Sequence, residues 1–203
     1  TTYGTPTIVD NPTPWPDDLF GHTVSISGNK MLIGAPGDDA GGVNAGSAYL
    51  YDATAGTLLQ TFHNPTPASG DTFGHSVAIL GNKVLISAQS DDTGATNAGS
   101  AYLYDATTGA LLQTFHNPKP TDIFFSQSVS ISGNNVLISA HTEDTGALNA
   151  GSAYLYDATT GALLQTFNNP TPEASDLFGY SVSISGDKAL IGALNGIDGT
   201  GVT

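Results

Sequence analysis

The chain contains no cysteine and no arginine, and only four lysines stand against 18 acidic residues. Without cysteine it has neither a disulfide framework nor a thiolate metal site. The net charge of −14 excludes two large classes of partner. Nucleic acids are bound by Lys and Arg displacing counterions from phosphates, and anionic lipid attracts the same side chains. This surface favours solubility and attracts cations instead. No apolar run reaches the ~18 residues of a membrane-spanning helix, so no membrane insertion is expected. A signal-peptide pattern is also missing, as are the G-x-S-x-G, H-E-x-x-H and phosphate-loop signatures of hydrolases and nucleotide enzymes. Every N-x-[ST] triplet has proline in the middle, which removes acceptor sites for N-glycosylation. Scarce lysine, abundant Thr, Ser, Asn and Gly, and a first residue that is Thr rather than Met point to an extracellular or cell-surface chain.

Repetition is what the sequence has in abundance, and it decides the fold class. Residues 97–115 and 149–167 both read NAGSAYLYDATTGALLQTF, and residues 44–62 depart from that only at Ala55 and Thr57. Asn-Pro-x-Pro recurs at Asn11, Asn64, Asn117 and Asn169, a period of 52 or 53 residues. Phe-Gly recurs at Phe20, Phe73 and Phe178, with Phe125-Ser126 in the remaining place.

Each unit reads as four short strands. The first alternates, as in Val24-Ser25-Ile26-Ser27, which predicts one buried and one open face. A Gly-Asn or Gly-Asp pair at Gly28, Gly81, Gly133 and Gly186 makes a two-residue hairpin with glycine at positive φ. The second strand (31–35, 84–88, 136–140 and 189–193) is continuously apolar, as in a strand covered on both faces. An acidic loop leads to the third strand, Ser-Ala-Tyr-Leu-Tyr from Ser47 and its copies. In the turn D-A-T-x-G that follows, Asp52, Asp105 and Asp157 can bond their own backbone. The fourth strand runs over 58–62 and its copies. No segment has helical periodicity. The expected fold is an all-β propeller of about four four-stranded antiparallel blades in one domain: 18–63, 71–116, 123–168, and 176–203 completed by an N-terminal strand at 5–10. A β-solenoid fits less well, because its rungs are shorter and lack two tight hairpins per repeat.

F-G-H-T-V from Phe20, L-I-G-A-P from Leu32 and G-S-A-Y-L-Y from Gly46 together resemble an FG-GAP repeat, the blade type of integrin α-subunit propellers and many bacterial surface proteins. The match is best in the first unit; later ones carry Ser87-Ala88-Gln89, Ser139-Ala140-His141 and Gly192-Ala193-Leu194 in place of G-A-P. The resemblance implies surface adhesion. Propellers of that family usually have seven blades, whereas this chain has material for about four.

The ends of the chain are out of phase with the repeat. Aligning the Asn-Pro-x-Pro phrases puts Thr5, Thr7, Ile8, Val9 and Asp10 on a fourth strand. The last unit carries two strands, the second including Ala189, Leu190 and Ile191, and stops near Val202-Thr203 where a third would begin. Three readings stay open: the N-terminal strand closes its own ring, completes the last blade of another copy, or belongs to a longer array.

The acidic loops hold paired acids six residues before an asparagine: Asp38, Asp39 and Asn44; Asp91, Asp92 and Asn97; Glu143, Asp144 and Asn149. Carboxylates, amide and loop carbonyls are oxygen ligands suited to calcium, although Asx-rich loops also turn without metal. The calcium loop that the family resemblance implies lies between the first two strands, and a tight Gly-Asn hairpin stands there instead. His22, His63, His75, His116 and His141 share repeat positions with Gln, Tyr, Asn or Asp, which suits structural roles better than ligation or catalysis. Catalysis needs groups in different environments, whereas near-identical units give each acid the same one, so no enzyme is expected. The tyrosine pairs at 49/51, 102/104 and 154/156 suit packing between blades or stacking on sugars. Trp15, the sole tryptophan, is a candidate ligand contact among prolines. These features together predict a non-enzymatic extracellular structural or adhesion propeller, joined to itself in a filament or other homo-oligomer by strand complementation. The alternative is a calcium-dependent module for cell-surface or matrix glycans.

Overall fold

A computed structural model describes residues 8–196. Among them are fourteen strands and no helix, arranged as three four-stranded sheets and one two-stranded sheet. Blade 1 holds β1 (Thr23–Ser27), β2 (Lys30–Ala35), β3 (Ser47–Asp52) and β4 (Leu58–His63). Blade 2 holds β5 (Phe73–Leu80), β6 (Lys83–Ala88), β7 (Ser100–Asp105) and β8 (Leu111–His116). Blade 3 holds β9 (Val129–Ser132), β10 (Asn135–Ala140), β11 (Ser152–Asp157) and β12 (Leu163–Asn168). Blade 4 holds β13 (Phe178–Ser185) and β14 (Lys188–Ala193). Every pairing is antiparallel between sequence neighbours, the meander that short hairpins dictate.

The hairpin glycines Gly28, Gly81, Gly133 and Gly186 have φ of 58°, 59°, 57° and 59°, as the turn requires. At the next hairpin, Asp52 Oδ1 accepts the N–H groups of Thr54 and Ala55 at 2.8 and 2.7 Å. These exposed bonds hold the Asp52 carboxyl below the usual range, led by the one from Ala55. Asn29 of the first hairpin donates to the other Asp52 oxygen at 2.7 Å, so the two turns brace each other.

The cores lie between blades. Leu32, Leu50 and Phe62 of blade 1 pack with Val77, Ile79, Ile86, Tyr102 and Tyr104 of blade 2. Leu85, Leu103 and Phe115 of blade 2 pack in the same way on Val129, Ile131, Tyr154 and Tyr156 of blade 3. Leu137 and Ala153 of blade 3 meet Phe178, Ile184 and Ile191 of blade 4. The sheets therefore stack face to face as propeller blades do, and the tyrosines fill the wedge between them.

One expectation needs correction. In blades 2 and 3 Val77, Ile79, Val129 and Ile131 of the first strands are buried, but in blade 1 Val24 and Ile26 at the same positions are 69% and 66% exposed. Their burial requires a preceding blade, and among the described residues none covers them. Of the last blade, expected to be completed by the N-terminal strand, the described residues include β13 and β14, which pair with each other. Thr5 and Thr7 lie outside the described residues, as do the residues after Gly196.

Candidate functional site

The paired acids divide their work. Asp38, Asp91 and Glu143 are buried, and each accepts the hydroxyl of the tyrosine eleven residues on: Tyr49, Tyr102 and Tyr154. Asp38 also takes the Ala40 N–H at 2.8 Å, and Asp91 the Thr93 N–H at 2.7 Å. Burial, reinforced by Asp38, pushes the Tyr49 hydroxyl up to about 12, so it stays a donor. The second acids, Asp39, Asp92 and Asp144, are exposed and accept the N–H groups of Asn44, Asn97 and Asn149 at 2.8, 2.7 and 2.7 Å. Those bonds set the asparagines at φ of 52°, 53° and 52°, where Asn is tolerated better than most residues. Among the described residues no group of three or more His, Asp or Glu is placed to hold a metal ion.

Blade 3 varies the theme in a matched way. The x of Asn-Pro-x-Pro is Thr13 before blade 1, and its hydroxyl donates to Asp38 at 3.2 Å. Before blade 3 it is Lys119, whose ammonium pairs with Glu143. Burial pushes the Glu143 carboxyl up, but bonds from Lys119, Thr145 and Tyr154 outweigh this and hold it below the usual range.

Each junction between blades uses the same backbone crossing. The N–H of Phe73 donates to Ala45 C=O at 2.9 Å, Phe125 to Ala98 at 3.1 Å and Phe178 to Ala150 at 3.0 Å. The glycine after each alanine permits the approach: a Cβ on Gly46, Gly99 or Gly151 would lie 2.1, 2.3 or 2.0 Å from the next blade's Phe C=O. Gly74 and Gly179, of the Phe-Gly pairs, pass as close to Ser47 and Ser152 C=O, at 2.3 and 2.5 Å. Ser126 replaces that glycine in blade 3, keeps a φ of 70°, and donates its hydroxyl to Ser100 C=O at 2.8 Å. Where G-A-P is lost, Ser87 and Ser139 accept the N–H groups of Ser76 and Ser128, both at 2.8 Å.

These crossings are built from the residues that define a known repeat. The FG-GAP repeat profile matches residues 14–51, 62–104, 121–156 and 171–202. The chain belongs to the FG-GAP repeat family. Its fold is also similar to that in the crystal structure of the computationally designed Ika4 protein, at 15% identity, a TM-score of 0.61 and 95% coverage of both chains. No curated protein matches the sequence.

The FG-GAP frame shows what the two ends of the stack present. Val9 packs on Ile33, Ala35, Tyr49 and Tyr51, and Tyr51 donates its hydroxyl to Asp10 C=O at 2.8 Å. At the first junction Phe62 lies 5.1 Å from the Tyr104 ring, and Tyr104 donates to His63 C=O at 3.1 Å. Val9 and Asp10 thus occupy the place on blade 1 that the end of a preceding blade's fourth strand would occupy, while Ile8 is 83% exposed. Gly21, of the first Phe-Gly, has nothing within 4 Å of its missing Cβ, unlike Gly74 and Gly179. Trp15 is 70% exposed beside a cleft lined by Thr13, Asp38, Asp39, Tyr49 and His63. At the other end Leu190 is 51% exposed, whereas Leu32, Leu85 and Leu137 at the same repeat position are fully buried. Ile191 is buried and Ala189 half-buried.

Sequence reasoning missed the serines of the first strands, which it assigned to an open face. Ser25 and Ser27 accept the N–H groups of Ile79 and Gly81 in the next blade at 3.2 and 3.0 Å. Ser128, Ser130 and Ser132 accept those of Val182, Ile184 and Gly186 at 3.1, 3.1 and 2.9 Å. Only Ser76 does this for blade 3, at 3.2 Å to Val129, because Ala78 and Leu80 replace the other two. The readable signal was a small hydroxyl residue kept at alternate positions where any polar residue would satisfy an open face.

Proposed function

We propose that this chain is a non-enzymatic structural or adhesion module of the cell exterior, a subunit joined end to end with further copies by complementation at the two ends of its blade stack. The observation that carries this reading is the exposure of Val24 and Ile26 at 69% and 66%, against 8% and 6% for Val77 and Ile79 at the same repeat positions. A soluble surface does not keep apolar residues of a buried class open without a partner for them. Residues 5–10 would serve as the fourth strand of a neighbour's last blade, and the placement of Val9 and Asp10 against Tyr51 supports that part. The buried acids of the three loops, Asp38, Asp91 and Glu143, are each tied to a tyrosine in the same way, which favours scaffolding over a single reactive centre. Membership of a repeat family found in surface proteins and a lysine-poor composition rich in Thr, Ser, Asn and Gly favour the exterior. Light scattering over a concentration series tests the reading. Particles several times the 20.6 kDa chain mass are expected, and a mass that stays at one chain throughout would rule it out.

The exposed Trp15 beside Asp39 and His63 favours one second reading, a calcium-dependent glycan-binding propeller. Aromatic faces stack on sugars and carboxylates accept their hydroxyls. Under it, glycan-array binding is lost with a chelator and in Trp15→Ala, and calcium raises the melting temperature.

A further inference from the structure

We infer that the open face of blade 4 in one copy docks on the open face of blade 1 in a second copy, in the register of the three junctions within the chain. The inference rests on the end-to-end reading above and specifies its interface.

Three features of the internal junctions have an unused half at each end, and a fourth has one at the blade 1 end. The first is apolar: Leu32 of blade 1 sits in one cluster with Val77 and Ile79 of blade 2, and Leu85 in one with Val129 and Ile131 of blade 3. The exposed Leu190 and the exposed Val24 and Ile26 are the corresponding halves. The second is the serine ladder. Ser181, Ser183 and Ser185 stand on β13 where Ser128, Ser130 and Ser132 stand on blade 3, and they line the grooves beside Leu190. Their partners in the repeat register are the N–H groups of Val24, Ile26 and Gly28. The third is a lysine. Lys30 Nζ donates to Asn82 Oδ1 of the next blade at 3.0 Å, and Lys83 to Asn134 Oδ1 at 2.9 Å. Lys188 holds the same position on blade 4, its side chain 83% exposed and paired only with the adjacent Asp187; its counterpart across the docked junction is Asn29. Three of the chain's four lysines therefore occupy this one junction position. The fourth is the loop contact: Pro67 and Pro172 pack against Gly41 and Gly146 of the preceding blade, and Pro14 and Trp15, both exposed, present the same surface at the blade 1 end.

Why a second copy is the occupant follows from the same surfaces. The two faces are complementary halves of one interface, so each needs a blade of this sequence. Within one chain they do not cover each other, as the exposure of Val24, Ile26 and Leu190 records.

The absence of cysteine makes a direct test clean. Ile26→Cys and Leu190→Cys are made in separate chains, each at an exposed site, mixed in equal amounts and oxidised. A disulfide-linked pair of chains is expected in the mixture, at least about fivefold more than either variant yields alone, because only the mixture places the two sulfurs across one junction. A mixture no better than the single variants overturns the proposed register. The double variant Ile26→Cys/Leu190→Cys in one chain is expected to form linked multimers, and a monomer closed on itself overturns the second copy as occupant. Ser183→Ala/Ser185→Ala is expected to weaken self-association about tenfold with an unchanged melting temperature, and no weakening counts against the ladder. If the unaltered chain associates but the mixture does not cross-link, the register fails and end-to-end assembly stands. If it stays a monomer throughout, the assembly reading itself fails.

Discussion

At the scale of single residues, the near-identity of the blades makes the few departures informative. Lys119 with Glu143 replaces the Thr-with-Asp pairing of blade 1, one acid a methylene longer and its partner a cation. Lys119→Thr alone leaves a buried carboxylate short of a charged donor and is expected to destabilise the fold by about 1–3 kcal/mol. Adding Glu143→Asp restores the pair seen in blade 1 and should recover most of the loss, as a denaturation double-mutant cycle would read out. His141 is a second departure. It is buried against the Tyr180 ring, and burial, helped by His75, pushes it down to about 4. Its folded value lies below the unfolded ~6.5, so the stability tied to its neutral form is present above that pH and lost as pH falls toward 4. His141→Gln, the residue type of Gln89 at the same position, should remove that loss, on the order of 3 kcal/mol at most. Melting curves of both proteins between pH 7 and 4 check it: they should lie close together near pH 7 and separate as pH falls, with the variant melting higher. Asp71 acts in the opposite sense, since burial raises it to about 6 and its contribution declines as pH rises through that value.

At the scale of elements, strands, hairpins and turns were legible because each rests on local chemistry. Gly28 with Asn29 and Asp52 with Gly56 specify their turns without help from the rest of the molecule. The continuous apolar run of β6 and β10 announced strands covered on both faces, and both are buried almost throughout. What was not legible is what depends on a neighbouring blade. The Asn-Ala-Gly phrase reads as a loop, yet its glycine is the point where two backbones cross. Gly99→Ala is therefore expected to cost at least about 2 kcal/mol, from positive φ plus collision with Phe125 C=O, whereas Gly133→Ala meets open space and costs about 1 kcal/mol. The serine ladder was hidden because period-2 alternation looks the same whether the polar face meets water or another strand's N–H groups. Ser130→Ala should leave the Ile184 N–H without its acceptor and cost about 1–2 kcal/mol by chemical denaturation.

At the scale of the whole molecule, the repeat carries most of the fold, and its unpartnered copies carry the functional reading. Val24, Ile26 and Leu190 look like any other core residues in the sequence, and only the stack reveals that they are open. The acidic loops, which composition singled out, turn largely inward to their own tyrosines and backbone. The charge of −14 also sets how association responds to salt. Copies of like charge repel, and shortening the Debye length from about 30 Å at 0.01 M to about 8 Å at 0.15 M should strengthen end-to-end association, the reverse of a salt-bridge-driven interface. Sedimentation at the two ionic strengths distinguishes these.

The most direct measurement is amide hydrogen exchange at Val24, Ile26 and Gly28 as the protein is concentrated. End-to-end docking predicts protection that rises with concentration toward that of Ile79, Gly81 and Ile184, whose N–H groups already bond serines of the preceding blade. Fast exchange at these three amides at every concentration, with Ile79 and Ile184 protected, would contradict it.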